Sequence, residues 1–394
     1  MAVSLDLPKT QRAIVANDKL DYCIRDDVPV PKLADDCVII KTEAVGLNPV
    51  DTKMVGPFVA SGATYGVSQI DAGTHPLLHP MSSPPVHQID CAGVLVAMGK
   101  DVAATGRLKL GDRICGSADG MEGLRPQSGA FAEYASMDGG MALKMPDDMT
   151  FETGAGMGLR IATAGMAIFH SMGISPELLK KPASGDEVFD VLVYGAATST
   201  GTMAIQLLKL CGLRVITTCS PRNFELVRSY GADVCFDYNS PTCGEDIRAY
   251  CHNALDYALD CITEESTLKI CYQAIGRLGG KYCGLEPYPE EKAASRRAVE
   301  ADWILATWMR GLPISWPEPF GNAGKPECRE FAAHFFPHIH PLFTSGKLRP
   351  HPTRVEPNGF EGLLDGVGLI RKGVIRGQKL VYRTAERRVV ATAA

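Results

Sequence analysis

No apolar run in the 394 residues approaches the roughly 20 that a membrane-spanning helix requires, so a transmembrane segment is not expected. Neither sign of charge is in excess. The 40 Lys and Arg meet 45 Asp and Glu, a net charge of −5, which excludes the basic footprint of a nucleic-acid or anionic-membrane binder. The 13 cysteines include no C-x-x-C pair. A disulfide framework and a knuckle-type zinc site are therefore not expected, and the scattered odd count fits reduced thiols serving as small buried hydrophobes. Internal repeats and low-complexity tracts are missing as well. The opening Met1–Thr10 lacks a basic segment followed by an apolar one, so a cytoplasmic chain is expected. What is present is 45% apolar and 22% charged residues, the balance of a globular protein large enough for two domains.

The most informative stretch runs from Val188 to Leu210. Val191-Leu-Val-Tyr194 is apolar and β-branched, and reads as a buried strand. Met203, Ile205, Leu207, Leu208 and Leu210 suit a helix packed on a sheet. Between them stand only small and hydroxyl residues, Gly195-Ala-Ala-Thr-Ser-Thr-Gly201. Such a turn leaves backbone N–H groups free at a helix N-terminus, a place for phosphate. It keeps Gly195 and Gly201 but departs from the G-x-G-x-x-G fingerprint, with the hydroxyls of Thr198, Ser199 and Thr200 as further donors.

Arg214–Ser220 reads as the next parallel strand. An acid at its tip would favour the free ribose of NAD; here the tip is Ser220-Pro221-Arg222-Asn223, with uncharged donors and one cation, which fits the 2′-phosphate of NADP(H). A further helix and a short strand end at Tyr238, and Leu255–Asp260 and Gly279–Leu285 give two more strands. Strands alternating with helices mean a doubly wound parallel α/β sheet.

Before this half the chain is rich in strands. Arg12–Ala16, Cys37–Val45, Val94–Ala97, Arg113–Cys115, Gly129–Ala135 and Ala142–Pro146 are short and separated by Gly turns, the pattern of a compact β-barrel-like domain. Gly56–Pro85 is long and loop-like, an expected lid, insertion or partly disordered stretch. His75, His79 and His87 fall in or beside it, without the fixed spacing of a metal site. Phe151–His170 reads as one or two helices and Ile174–Asp186 as a linker. Within 328–345, Pro337 and Pro341 disfavour one continuous helix, so His334, His338 and His340 are expected to be surface histidines. A helix from Phe360 to Lys372 and a strand Lys379–Tyr382 form a return segment, followed by a frayed tail.

Gly46-Leu-Asn48-Pro49-Val50-Asp51-Thr52-Lys53, Gly111–Gly116, Gly129–Tyr134 and Leu192–Gly195 together resemble the quinone-oxidoreductase and enoyl-reductase branch of the medium-chain dehydrogenase/reductase superfamily. Thr218–Phe224, Tyr257–Thr263, Ala274–Arg277, Ile370–Gly373 and Gly377–Val381 are similar, more closely, to the trans-acting enoyl reductases of fungal polyketide pathways, of which the lovastatin enzyme is the type. The resemblance implies a GroES-like domain over 1–165 and 347–394, and a Rossmann NADP-binding domain over 166–346. The zinc alcohol dehydrogenases of the superfamily have a Cys where Asn48 stands and a His-Glu pair near Gln88–Gly93; neither is present, so a zinc-free reductase is expected.

The activity implied is 1,4-reduction, with NADPH, of an α,β-unsaturated thioester carried by a partner highly reducing polyketide synthase or a synthase fused to a peptide synthetase. Quinone or free-enone reduction is the alternative, and a cofactor-binding partner without turnover a third. A monomer and a homodimer both suit the family. Carried over residue by residue, Val50, Asp51, Thr52 and Lys53 border the cofactor. Lys53 acts through the cofactor ribose or the enolate, and Asp51 orients it. Ala197, Thr198, Ser199 and Thr200 hold the pyrophosphate. Ser220, Pro221, Arg222, Asn223 and Tyr238 enclose the 2′-phosphate. Leu285 and Glu286 lie at the nicotinamide end, where Glu286 replaces the Asn of the type member and sets an anion near developing enolate charge. Ile375 and Arg376 close from the return segment. Gly156, Met157, Gly158, Leu159, Arg160, Ile161, Ala162 and Thr163, with Thr307, Trp308, Met309, Arg310 and Gly311, line the acyl channel; in Asp51 a turn-forming role, and in the channel residues plain core packing, stand as the bland alternatives.

Overall fold

The computed structural model describes residues 1–16, 22–52, 90–120, 122–316 and 318–386. The Gly56–Pro85 loop, His75, His79, His87, Lys53 and the tail beyond residue 386 lie outside these described residues.

The first half is built from β1 (Val3–Ser4), β2 (Thr10–Ala16), β3 (Tyr22–Pro29), β4 (Cys37–Gly46), β5 (Asp90–Met98), β6 (Arg113–Ser117), β7 (Tyr134–Asp138) and β8 (Leu143–Lys144). The second half supplies six more, β9 (Asp190–Tyr194), β10 (Arg214–Cys219), β11 (Val234–Asp237), β12 (Tyr257–Asp260), β13 (Gly280–Gly284) and β14 (Val299–Trp303). The return segment adds β15 (Thr353–Glu356) and β16 (Lys379–Arg383).

One sheet runs β15-β16-β4-β5-β6-β8, with β7 on β4 and β1 on β5. The return segment thus completes the first half: Val381 pairs with Gly46 and Tyr382 with Val45, antiparallel. β4 and β5 are buried along almost their whole length, which is why Val38-Ile-Ile40 and Val94–Met98 are continuous apolar runs rather than alternating ones. β2 and β3 form a separate antiparallel pair. The expected strand Gly129–Ala135 is displaced: β7 starts at Tyr134, and Ala132 makes only an isolated bridge to Ala13. Gly129 and the small residues after it leave that segment without the branched side chains that favour extended pairing.

The other sheet has the order β11-β10-β9-β12-β13-β14, and every pair in it is parallel. In chain order this is 3-2-1-4-5-6, the doubly wound Rossmann arrangement, whose switch point falls between β9 and β12. Helices Ser199–Leu210, Phe224–Ser229, Cys243–Tyr250 and Glu265–Ala274 connect the strands. Between the halves the chain passes through the helix Gly158–Gly165, a π-helical turn Met166–Ser171 and a 3-10 turn Pro176–Leu179.

The expectation of a broken helix within 328–345 is wrong. Pro326–Thr344 is one helix of 19 residues with Pro337 and Pro341 inside it. Each proline removes one ladder bond, but Phe335, Phe336, Ile339 and Phe343 are buried from this helix, and that burial outweighs two missing bonds. Its histidines are accordingly not all on the surface. His338 is buried, and burial pushes His340 down to about 4.

Candidate active site

At the end of β9 the chain turns through Gly195–Ala197 into the Ser199–Leu210 helix. Thr198 is the N-cap; its hydroxyl oxygen accepts from the Gly201 N–H at 3.0 Å. A Cβ on Gly201 would lie 2.7 Å from Ala196 Cα, so the glycine lets the helix sit directly on the turn. Ser199 Oγ is buried and, among the described residues, has no hydrogen-bond partner. A buried hydroxyl without a partner costs free energy unless something supplies one. Together with the N–H groups of the first helical turn, it fits the pyrophosphate of a dinucleotide bound at the carboxyl ends of the strands.

Along the sheet, the Ser220 and Tyr238 hydroxyls lie 3.0 Å apart. Pro221–Asn223 forms a 3-10 turn with Arg222 exposed on it. The acid of the neighbouring strand, Asp237, accepts from the backbone and side-chain nitrogens of Asn239. Two hydroxyls and a solvent-facing guanidinium suit a phosphate better than a bare ribose diol. Asn223 Oδ1 is 3.9 Å from the place a Cβ on Gly377 would take, which brings the segment carrying half-buried Ile375 and exposed Arg376 against this end.

At the opposite end is a buried charge cluster. Lys379 Nζ donates to Asn48 Oδ1 and to Asp90 Oδ2, both at 2.6 Å. Asn48 Nδ2 donates to the same Asp90 oxygen at 3.0 Å, and the Leu159 N–H donates to Asp90 Oδ1 at 2.8 Å. Asp90 is 0% exposed and Lys379 5%. Charges buried so completely persist only as a paired and hydrogen-bonded set. Gly46 makes room for it: a Cβ there would lie 2.7 Å from Lys379 Cε. In the 3-10 turn Pro49–Thr52, half-buried Val50 packs on the core, and the Thr52 hydroxyl donates to the Pro49 carbonyl at 2.7 Å. The Asp51 carboxylate accepts from the Asn48 N–H, and Tyr22 donates to the Asp51 carbonyl. Burial raises the Asp51 carboxyl to about 8; the Asn48 hydrogen bond and Lys379 oppose that rise and Asp90 adds to it.

The Gly156–Thr163 stretch connects the two ends. Gly156 abuts the Lys379 stem, Leu159 holds Asp90, and Arg160 Nη2 reaches Thr202 Oγ1 in the first turn of the dinucleotide helix at 3.4 Å. Arg160 Nε and Nη1 are buried without a partner among the described residues, and burial lowers Arg160 to about 10. Met157, Ile161 and Ala162 are core residues, and Thr163 is half-buried. In the Ala306–Arg310 turn, Trp308 and Met309 are buried, Thr307 Oγ1 has no partner among the described residues, and Gly311 ends the turn left-handed. Arg310 is committed to an ion pair with Asp119 at 2.8 Å and approaches Cys37 Sγ at 3.3 Å. Leu285 follows β13, its N–H donating to Thr263 Oγ1 at 2.8 Å, with Glu286 half-buried beside it.

A GroES-like domain of alcohol dehydrogenases matches residues 34–147, and a zinc-binding dehydrogenase domain matches residues 199–296. The trans-enoyl reductase buaC of Petromyces alliaceus is 48% identical over 97% of this chain and 99% of its own. The chain belongs to the trans-enoyl reductases. It is an oxidoreductase of the medium-chain dehydrogenase/reductase superfamily, and the family reduces carbon–carbon double bonds in fungal polyketide biosynthesis. The CurK enoyl reductase shares the fold, with a TM-score of 0.66 at 17% identity over 95% of this chain and 98% of that one. So does mycobacterial Rv1454c, solved with NADPH, with a TM-score of 0.63 at 19% identity over 95% and 99%.

Sequence reasoning on this trans-enoyl reductase had not assigned Asp90 and Lys379 to the site. A signal existed: each is a charge at the first position of a strand whose next three residues are uncharged, and the two charges are opposite. A charge opening a buried strand needs a partner, and opposite charges on two such strands suit each other.

Proposed function

We propose that this chain is an NADPH-dependent trans-enoyl reductase that works without a catalytic metal. Its substrate is the α,β-unsaturated thioester of a polyketide held on the carrier protein of a separate highly reducing synthase, or of a synthase fused to a peptide synthetase, in the cytoplasm. The observation that carries the reading is the capped, hydroxyl-rich turn at the switch point, linked by residues 159 and 160 to the buried Asn48–Asp90–Lys379 set. That Gly156–Thr163 link divides a dinucleotide-binding part over 166–346 from a substrate-binding part over 1–165 and 347–394.

When bound, a reduced nicotinamide supplies the hydride. The chain supplies position and field. Thr198, Ser199 and the helix N-terminus take the pyrophosphate; Ser220, Arg222 and Tyr238 take the 2′-phosphate. Lys53, whose placement lies outside the described residues, is proposed to hold the ribose or the enolate oxygen. The ammonium of Lys379 stands beside Asn48 and Asp90, so that pocket already contains a cation and has no vacancy for a dication. Asp90 and Lys379 are positioning residues: they fix Asn48, and through Asn48 the turn that bears Asp51.

The test is oxidation of NADPH on addition of a crotonyl- or longer enoyl-thioester. Consumption with thioester and none with free quinones supports the proposal. Turnover with quinones alone, or binding of NADPH without consumption, overturns it.

A further inference from the structure

Outside the reductase site, Glu177, His334 and His338 each present one ligand atom, and these three atoms lie within 4.8 Å of one another. We propose that they form a site for a borderline divalent transition-metal ion, Zn2+ in the first place, that staples the 3-10 turn Pro176–Leu179 to the helix Pro326–Thr344.

The geometry follows from the helix. His334 and His338 are four residues apart in a continuous α-helix and so stand on one face, one turn apart. Their rings are 5.2 Å apart. Glu177 reaches them from another element: its Oε1 is 3.3 Å from His338 Nε2 and 3.6 Å from His334 Nε2. Two imidazoles and a carboxylate are the donor set that Zn2+ takes with a fourth position left to water, and imidazole excludes Ca2+ and Mg2+ as the preferred ions.

The burial is graded in a way an ion pair alone does not need. The His338 side chain is 2% exposed, whereas those of His334 and Glu177 are 59% and 56% exposed. One ligand is therefore fixed in the core, and the other two meet it from the surface with an open path for an ion. Burial lowers His338 below the usual imidazole range, with Lys180 adding to the drop and Glu177 opposing it. Lys180 is the competitor. Its Nζ lies 3.5 Å from the other oxygen of Glu177, but both groups are exposed and such a pair is worth little. This site differs from the zinc sites of the dehydrogenases, because none of its residues belongs to the Asn48–Asp90 pocket or to a cysteine lobe.

The inference is independent of the reductase reading. Full-length protein stripped with a chelator is titrated with Zn2+ by calorimetry and with Co2+ by visible absorption, and its thermal midpoint is followed. One equivalent of Zn2+ is expected to bind and raise the midpoint, and Co2+ to give the intense absorption of a low-symmetry site. His334→Ala, at an exposed position that leaves the fold intact, weakens binding at least about tenfold, the loss that even an outer partner of a ligand causes. Lys180→Gln tightens it. NADPH oxidation by the His334→Ala variant is unchanged. No binding by the stripped protein, or binding that His334→Ala leaves untouched, overturns the proposal.

Discussion

Lys379→Met removes the ammonium from the Asn48–Asp90–Lys379 set and keeps most of the apolar stem, so the loss is electrostatic rather than a cavity. Two hydrogen bonds of 2.6 Å vanish, and one of them is an ion pair to a carboxylate with no exposure. Breaking a buried pair from one side costs about 3–5 kcal/mol, because the other charge stays buried. Here Asp90 keeps two donors, Asn48 Nδ2 and the Leu159 N–H, which places the cost near the low end, about 3 kcal/mol. Adding Asp90→Asn removes the stranded charge and is expected to restore at least about half of that loss. Chemical denaturation of the wild type, both single variants and the double variant measures the cycle. A loss under about 1 kcal/mol for Lys379→Met, the scale of a surface pair, refutes the reasoning. So does additivity of the two substitutions.

Asp51 offers a pH test. Its folded-state value is raised by burial to about 8, above the roughly 3.9 of an exposed aspartate, so its share of stability is full below about pH 4 and is lost as pH rises toward about 8. Asp51→Asn flattens that fall in a pH series of denaturation midpoints, and an unchanged slope refutes the assignment. Gly201→Val sets a side chain against Ala196 at 2.7 Å and is expected to weaken NADPH binding at least about tenfold, read by fluorescence titration; unchanged affinity means the turn does not hold the pyrophosphate. Arg222→Ala raises the Kd for NADPH by about tenfold and leaves that for NADH within about twofold, because only the former has the 2′-phosphate; equal changes in both refute the assignment. Arg160→Met changes stability by less than about 1 kcal/mol, since the guanidinium makes only long bonds while two of its nitrogens have no partner; a larger loss shows an unrecognised counter-charge.

The parallel sheet was legible where its strands are central. Val191-Leu-Val-Tyr194 and Val215–Cys219 are buried at every position, so their apolar and β-branched runs announce them. β14 was missed because Val299-Glu-Ala-Asp-Trp303 is an edge strand with its charged residues turned outward, and its composition resembles a loop. β3 was missed for a similar reason: Arg25, Asp26 and Asp27 are exposed in its middle. The Pro326–Thr344 helix shows the opposite failure. A local rule about proline was applied where the aromatic residues of one helix face, buried against the rest of the protein, decide the outcome.

Arg160 meets Thr202 across 42 residues of chain and Leu159 meets Asp90 across 69, so neighbouring residues of one short helix join the two ends of the site. Leu159 ties the helix to the buried charges through its backbone, and Arg160 ties it to the first turn after β9 through its side chain. A backbone donor cannot be lost by mutation except to proline, whereas the guanidinium contact is long and only partly satisfied. The helix thus makes a short hydrogen bond to Asp90 and a long one to Thr202. This asymmetry follows from small residues at Gly156 and Gly158, which bring the chain close to Lys379 and to the Gly116 backbone and leave Arg160 as the long arm that spans the remaining gap.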